Sequence, residues 1–181
     1  MPRKFKHHEE KLLKKVDFVN WKGDNSVHEG KILKKFCLRK RSDYVMYNTL
    51  SKEIREVAAL IKNIPDGNPN KKKLERKLLS KLYNIGLIPA IDELEHCEEI
   101  NASTFCRRRL PSVMAFMKMC ANIEQSTKFV EQGHVRLGVD LVTDPAFIVT
   151  RTMSDLITWA NASKIRKHVE SYNNIRDDFE I

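Results

Sequence analysis

Phe105–Cys120 reads FCRRRLPSVMAFMKMC. Three arginines abut an apolar run, with Pro111 close behind them. Cys106, Leu110, Val113, Met117 and Ala121 recur at helical spacing, which predicts a helix with one buried face. Arg107, Arg108 and Arg109 are successive, so on a helix they fan out about 100° apart and cannot all point inward. At least one or two must face solvent or an anion. Pro111 lacks an amide hydrogen and disfavours helical geometry at Leu110, so the helix either begins near it or bends there.

Outward toward the C-terminus, a second helix is predicted over Ile123–Gln132, with Ile123, Thr127 and Val130 inward and Gly133 ending it. The period then changes to two. Val135 and Leu137 face one way, His134 and Arg136 the other. Gly138-Val139-Asp140 can turn, Leu141-Val142 reads as a brief strand, and Phe147–Thr150 as another beyond the Asp144-Pro145 break. Ser154–Ile181 reads as a short extended or helical piece, a helix around Ser163–Tyr172 and the acidic end Asp177-Asp178-Phe179-Glu180.

Outward toward the N-terminus the pattern is helical. Met46, Leu50, Ile54, Val57, Ile61 and Ile64 predict one long amphipathic helix starting at Ser42-Asp43, closed by a loop at residues 65–69. Leu74, Leu78, Leu82 and Ile85 predict a second, with Gly86 as its cap and Lys71, Lys72, Lys73, Arg76, Lys77 and Lys81 outside. Ser26 and Glu29 fit a capping box for a helix reaching about Leu38. Residues 87–102 read as a connection with one short acidic helix, after which Ser103 can cap the next. Residues 1–22 read as a basic arm in which Phe5, Leu12, Val16 and Val19 recur at near-helical spacing and Trp21 closes it, either a solvated helix or an arm that lies along RNA or in a partner's groove, with Phe5, Leu12, Val16 and Trp21 the candidate partner contacts. The expected fold is α+β: a basic N-terminal arm (1–25), a helical subdomain and connection (26–102), two helices on a short β-sheet (103–165), then a C-terminal helix end and acidic tail (166–181).

The chain of 181 residues carries a net charge of +9, and its distribution is uneven. Residues 1–95 hold 22 Lys/Arg against 13 Asp/Glu, while residues 96–181 hold 11 of each. An excess gathered in one half favours a polyanionic partner. No stretch approaches the ~18 apolar residues of a membrane span, and the N-terminus has no apolar signal region, so nucleic acid leads. Cys37, Cys97, Cys106 and Cys120 form no C-x-x-C pair, so no metal and no cofactor is expected. No P-loop, Gly-rich dinucleotide turn, H-E-x-x-H or nucleophile elbow is present, which argues against an enzyme and a small-molecule substrate. Asp43 and Asp92 read as loose acids without a site.

FCRRRLPSVMAF, FVEQGHVRLG and VTDPAFIVTR, in that order, resemble the alpha-L RNA-binding domain, the module of the ribosomal-protein-S-four family. LLSKLYNIGLI upstream resembles the eukaryotic form of that ribosomal protein. RKFKHHEEKLLKKVDFVNW, SKIRKHV and RDDFEI resemble its paralogous Imp-three family, found in the U-three small nucleolar ribonucleoprotein of the small-subunit processome. The resemblance implies binding of small nucleolar RNA and pre-ribosomal RNA, promotion of their pairing in early small-subunit rRNA processing, and a place in the nucleolus of the nucleus. It implies two protein partners, an M-phase phosphoprotein scaffold and a sister Imp protein. A ribosomal protein of the small subunit, or a docking scaffold subunit of a ribonucleoprotein, are the alternatives. Arg107, Arg108, Arg109, Lys118, Lys128, His134 and Arg136 are the expected RNA contacts. Glu124 stands where family members often carry an RNA-facing arginine nearby, which favours the first-helix arginines over the second helix.

Overall fold

The computed structural model describes residues 3–15, 26–65 and 67–173. The chain divides into two compact units, residues 1–31 and 32–181. In the first, helix α1 (His7–Lys15) is closed at its start by Glu9, which accepts from the Lys6 backbone N–H at 2.8 Å and pairs with Arg3 at 2.7 Å. Those two donors hold the Glu9 carboxyl below its ordinary range, the backbone N–H most strongly. Phe5 and Leu12 are exposed. Val16, Val19 and Trp21 lie outside the described residues, as does the acidic end.

Helix α2 (Ser26–Lys35) carries Glu29 in its first turn; the proposed Ser26 cap falls on a side chain outside those described. The helix stops three residues short of Leu38. Cys37 takes a left-handed φ of 51°, and Leu38 N–H donates back to Leu33 O at 2.9 Å. The turn lets Phe36 and Leu38 both enter the core, which a continued helix could not do for residues two apart.

Helix α3 (Arg41–Lys62) faces inward through Tyr44, Tyr47, Ser51, Ala58 and Ile61. The predicted stripe is thus rotated: Met46 and Val57 are exposed. Two tyrosines supply the area that the aliphatic count missed, and Ser51 and Ala58 allow close approach. Ser51 Oγ satisfies itself on Tyr47 O at 2.7 Å. Helix α4 (Pro69–Ile85) starts where a loop was expected, with Asn68 as N-cap accepting from Asn70 N–H and Pro69 in the first turn, where its missing donor costs nothing. Leu79 and Leu82 are buried on it, whereas Leu74 is exposed. Gly86 caps it at φ 87°, as predicted.

The short helix α5 (Glu95–Glu98) leads to α6 (Ala102–Arg107), whose cap position is Asn101 rather than Ser103, with Thr104 Oγ1 accepting from the Asn101 backbone N–H at 3.3 Å. One helix predicted over the opening stretch is two: α6 ends at Arg107, Arg109 is extended at φ −66°, ψ 144°, and α7 (Leu110–Phe116) begins with Pro111 in its first turn. Proline therefore starts a helix here. Helix α8 (Ile123–Glu131) packs on α7 and buries Ser126, Thr127 and Val130.

Gly133 (φ 73°) leads into β1 (Val135–Leu137), which pairs antiparallel with β2 (Asp140–Leu141) and with β3 (Ile157–Trp159), giving the order β2-β1-β3. Between them lies the single turn α9 (Arg151–Ser154), and α10 (Lys164–Tyr172) follows with Ser163 as its cap. Phe147–Thr150, predicted as a strand, joins no sheet. It runs beside the break between α6 and α7, with Leu110 N–H on Phe147 O and Val149 N–H on Arg108 O, both at 2.9 Å. Two cores result. One gathers α3, α4 and α6 around Tyr47, Ile88, Cys97, Ile100 and Phe105, with the Tyr47 and Phe105 rings stacked at 5.6 Å. The other gathers α7, α8 and the sheet around Leu110, Met114, Val130, Val135 and Val149.

Candidate nucleic-acid interface

The break between α6 and α7 sends the three arginines to three environments. Arg109 is 5% exposed. Its guanidinium meets Asp43 at 3.2 Å and the Tyr47 hydroxyl at 3.4 Å, so it joins the start of α3 to the start of α7. Asp43, read as a loose acid, is its counter-ion. So buried and paired with a carboxylate, Arg109 is spent inside the fold rather than held out to a phosphate. Burial pushes the neighbouring Cys106 thiol up to about 11, against the partial relief of Arg109's charge, and raises the Tyr47 hydroxyl as well.

Arg108 is half-buried. It donates through Nε and Nη2 to Val149 O at 3.0 and 2.6 Å, and through Nη2 to Ser154 Oγ at 3.0 Å. It lies on Gly86, where a Cβ would stand 2.8 Å from Nε and 2.9 Å from Cζ. Gly86 thus serves twice, as the left-handed cap of α4 and as the floor beneath an arginine. Arg151, which the sequence reading did not single out, donates to Tyr83 O at 2.9 Å and Ile88 O at 2.8 Å, with its guanidinium 4.1 Å from the Tyr83 ring centroid. An arginine on a one-turn helix has no periodic signal to reveal such a clamp. Arg107 is exposed, and among the described residues no hydrogen bond or ion pair engages it.

The remaining expected contacts lie in the turn after α7, on α8, and just before and on β1. Lys118 is exposed in the turn after α7 with a left-handed φ of 59°, and Met119 N–H closes that turn on Met114 O at 3.1 Å. Lys128 is exposed on α8 and paired with Glu124 at 3.0 Å, so the acid that interrupted the expected pattern is neutralised by its own helix neighbour. His134 is half-buried, its Nδ1 3.0 Å from Ser163 Oγ and its ring edge-on to Phe129. Arg136 donates to Thr158 Oγ1 at 2.9 Å across the β1–β3 pair.

The densest array of available cations is elsewhere. On α4, Lys72, Lys73, Arg76, Lys77 and Lys81 are all exposed, and none is engaged in an ion pair or hydrogen bond among the described residues. A regular helix of 17 residues presents them along its outer side, and Glu75, half-buried, is its only acid. The array can do what clustered fixed cations do: displace the condensed counterions of a polyanion. Among the described residues no His, Cys, Asp and Glu side chains gather as a metal site, and no helix is long and apolar enough to cross a membrane.

The family model of the ribosomal protein S4/S9 N-terminal domain matches residues 4–107, and that of the S4 domain matches residues 108–155. The junction falls within one residue of the end of α6. Along its whole length the chain is 50% identical to the U3 small nucleolar ribonucleoprotein protein imp3 of Caenorhabditis elegans and 48% identical to its human counterpart, each covered to 99%. It is 26% identical to the small ribosomal subunit protein uS4 of Sulfurisphaera tokodaii over 82% of this chain and 83% of that protein. By whole-length identity and by both domain matches, the chain belongs to the IMP3 family of U3 small nucleolar ribonucleoprotein proteins, related to the ribosomal protein S4 family.

Proposed function

We propose that this chain is a non-enzymatic RNA-binding component of a U3 small nucleolar ribonucleoprotein, acting in the nucleolus in ribosome biogenesis. Its finer task is to bind small nucleolar RNA and pre-ribosomal RNA together and to promote their base pairing for early small-subunit rRNA processing. The observation that carries the reading is the match over the full chain to proteins of that particle, about twice the identity found to a ribosomal protein. The physical support is the placement of cations. Two RNA strands repel, and a protein that screens both must offer two cationic surfaces. The outer side of α4 is one. The second is the outer surface of the S4 domain, where Lys118, Lys128 and Arg136 lie, with His134 beside the last.

Contacts of this kind read the backbone and shape of structured RNA more than base identity. Arg107 is the member of the arginine run with a guanidinium free to join them; Arg108 and Arg109 hold the scaffold. An M-phase phosphoprotein scaffold and a sister Imp protein are the protein neighbours this role requires, and the exposed Phe5 and Leu12 of the N-terminal arm are where one would dock. A fluorescence annealing assay with two complementary RNA strands tests the pairing role. The full chain accelerates duplex formation, and a chain with Lys72, Lys73, Arg76, Lys77 and Lys81 reversed to glutamate does not. An unaccelerated rate with the unaltered chain overturns the pairing role.

A further inference from the structure

Between the end of α4, helices α6 and α7, and α9 lies a groove of about 620 Å³. Its walls are aliphatic and aromatic: Leu87, Ile88, Val113, Phe116, Met117 and Ile123. Phe116, at the last residue of α7, is 88% exposed, the second most exposed large apolar side chain described. Three guanidinium groups, those of Arg107, Arg108 and Arg151, also line it. Among the described residues every acceptor of Arg108 and Arg151 is neutral, a carbonyl or the Ser154 hydroxyl, so neither charge meets a carboxylate there. Burial, and then the charge of Arg151, make the Arg108 cation less favourable than usual. The acid on the groove, Asp155, is exposed and makes no ion pair among the described residues. Ser112 also lines the groove, and its buried Oγ is the one such side-chain atom without a partner among the described residues.

We infer that this groove is the docking site of a protein segment that places apolar side chains against Phe116 and Met117 and a carboxylate against the guanidinium groups. The charge complement is what selects the occupant. Arg108, half-removed from water with only neutral acceptors, gains most from an incoming anion, and the exposed Arg107 and Arg151 beside it add their charge. The aliphatic walls select a peptide over a nucleotide. Successive bases are held by stacking on a series of aromatic faces, and this lining offers one exposed ring, Phe116, beside the buried Phe36 and the branched Leu87, Ile88, Val113 and Ile123. An exposed aromatic beside arginines is the composition of a binding hot spot. The inference shares only Arg107 with the RNA reading, whose other cations lie on α4, in the turn at Lys118, on α8 and on β1.

A random 12-residue peptide library displayed on phage, selected against the full chain, tests it. Synthetic versions of the selected peptides are then titrated by fluorescence anisotropy against the unaltered chain, Phe116→Ala, Arg107→Ala and Arg136→Ala, with oligouridylate as competitor. Both groove substitutions remove exposed side chains, and unchanged melting temperatures verify that the fold is kept. The expected peptides pair apolar residues with Asp or Glu. Their binding weakens by about tenfold in Phe116→Ala, weakens also in Arg107→Ala, and is indifferent to Arg136→Ala and to oligouridylate. Failure to enrich any sequence, enrichment of peptides without an acid, or binding indifferent to Phe116 overturns the inference. Displacement of the peptides by oligouridylate overturns it too, and makes the groove a site for RNA.

Discussion

Helix α4 and the run Arg107–Arg109 are both strongly cationic stretches of the described chain, and they do opposite things with their charge. On α4, five cations stand on the solvent side of an uninterrupted helix and none is spent internally. At the α6–α7 break, three successive arginines are divided: one free, one on backbone carbonyls, one buried on a carboxylate. Regular geometry keeps a periodic charge pattern on one side. A break in the helix turns neighbours in sequence into strangers in space. The number of charges in a run is therefore a poor guide to how many are available, whereas their period on an intact helix is a good one.

The largest test of that division is Asp43→Ala. If Arg109 is structural, removing its carboxylate strands a buried cation and costs about 3–5 kcal/mol of unfolding free energy, measured by urea denaturation. The double variant Asp43→Leu with Arg109→Met removes both charges and recovers most of the loss, as replacement of a buried pair by apolar residues generally does. A loss below about 1 kcal/mol for Asp43→Ala would place Arg109 among the available charges instead.

Gly86→Ala comes next. It forces an L side chain into a left-handed turn and into the Arg108 guanidinium, and a loss of about 2 kcal/mol is expected. An unchanged melting temperature would separate Arg108 from the end of α4.

The smallest effect has the opposite sign. Lys118→Gly relieves a left-handed non-glycine residue and gains about 1 kcal/mol. If Lys118 contacts a phosphate, the same variant makes the dependence of RNA binding on salt shallower by about 0.7 in log–log slope. A gain in stability with no change in slope would leave Lys118 outside the RNA surface.

The chain's helices were legible wherever a period persisted. The cap at Gly86, the inward Thr127 and Val130, the alternation through Val135 and the helix from Ser163 are all written in local pattern. The misreadings share a cause. Tyr44 and Tyr47 outweigh Met46 and Val57 on α3 because ring area and the space left by Ser51 and Ala58 decide which side packs, and neither enters an aliphatic count. Pro111 starts a helix because Arg109 becomes extended to reach Asp43, 66 residues away in sequence. Phe147–Thr150 has strand-like composition, yet its partner is the α6–α7 break. The available cations of α4 were visible as an outer face. The internal engagement of Arg108, Arg109 and Arg151 depends on carbonyls and one carboxylate that only the tertiary fold brings near, and no local signal marks them.

The central claim is that fixed, unspent cations grip an RNA backbone. The most direct measurement is the affinity of the full chain for single-stranded RNA across a titration of monovalent salt. With about five phosphates neutralised, the slope of log affinity against log salt is about −3.5, and it collapses when Lys72, Lys73, Arg76, Lys77 and Lys81 are reversed to glutamate. A slope near zero in the unaltered chain would contradict the claim outright.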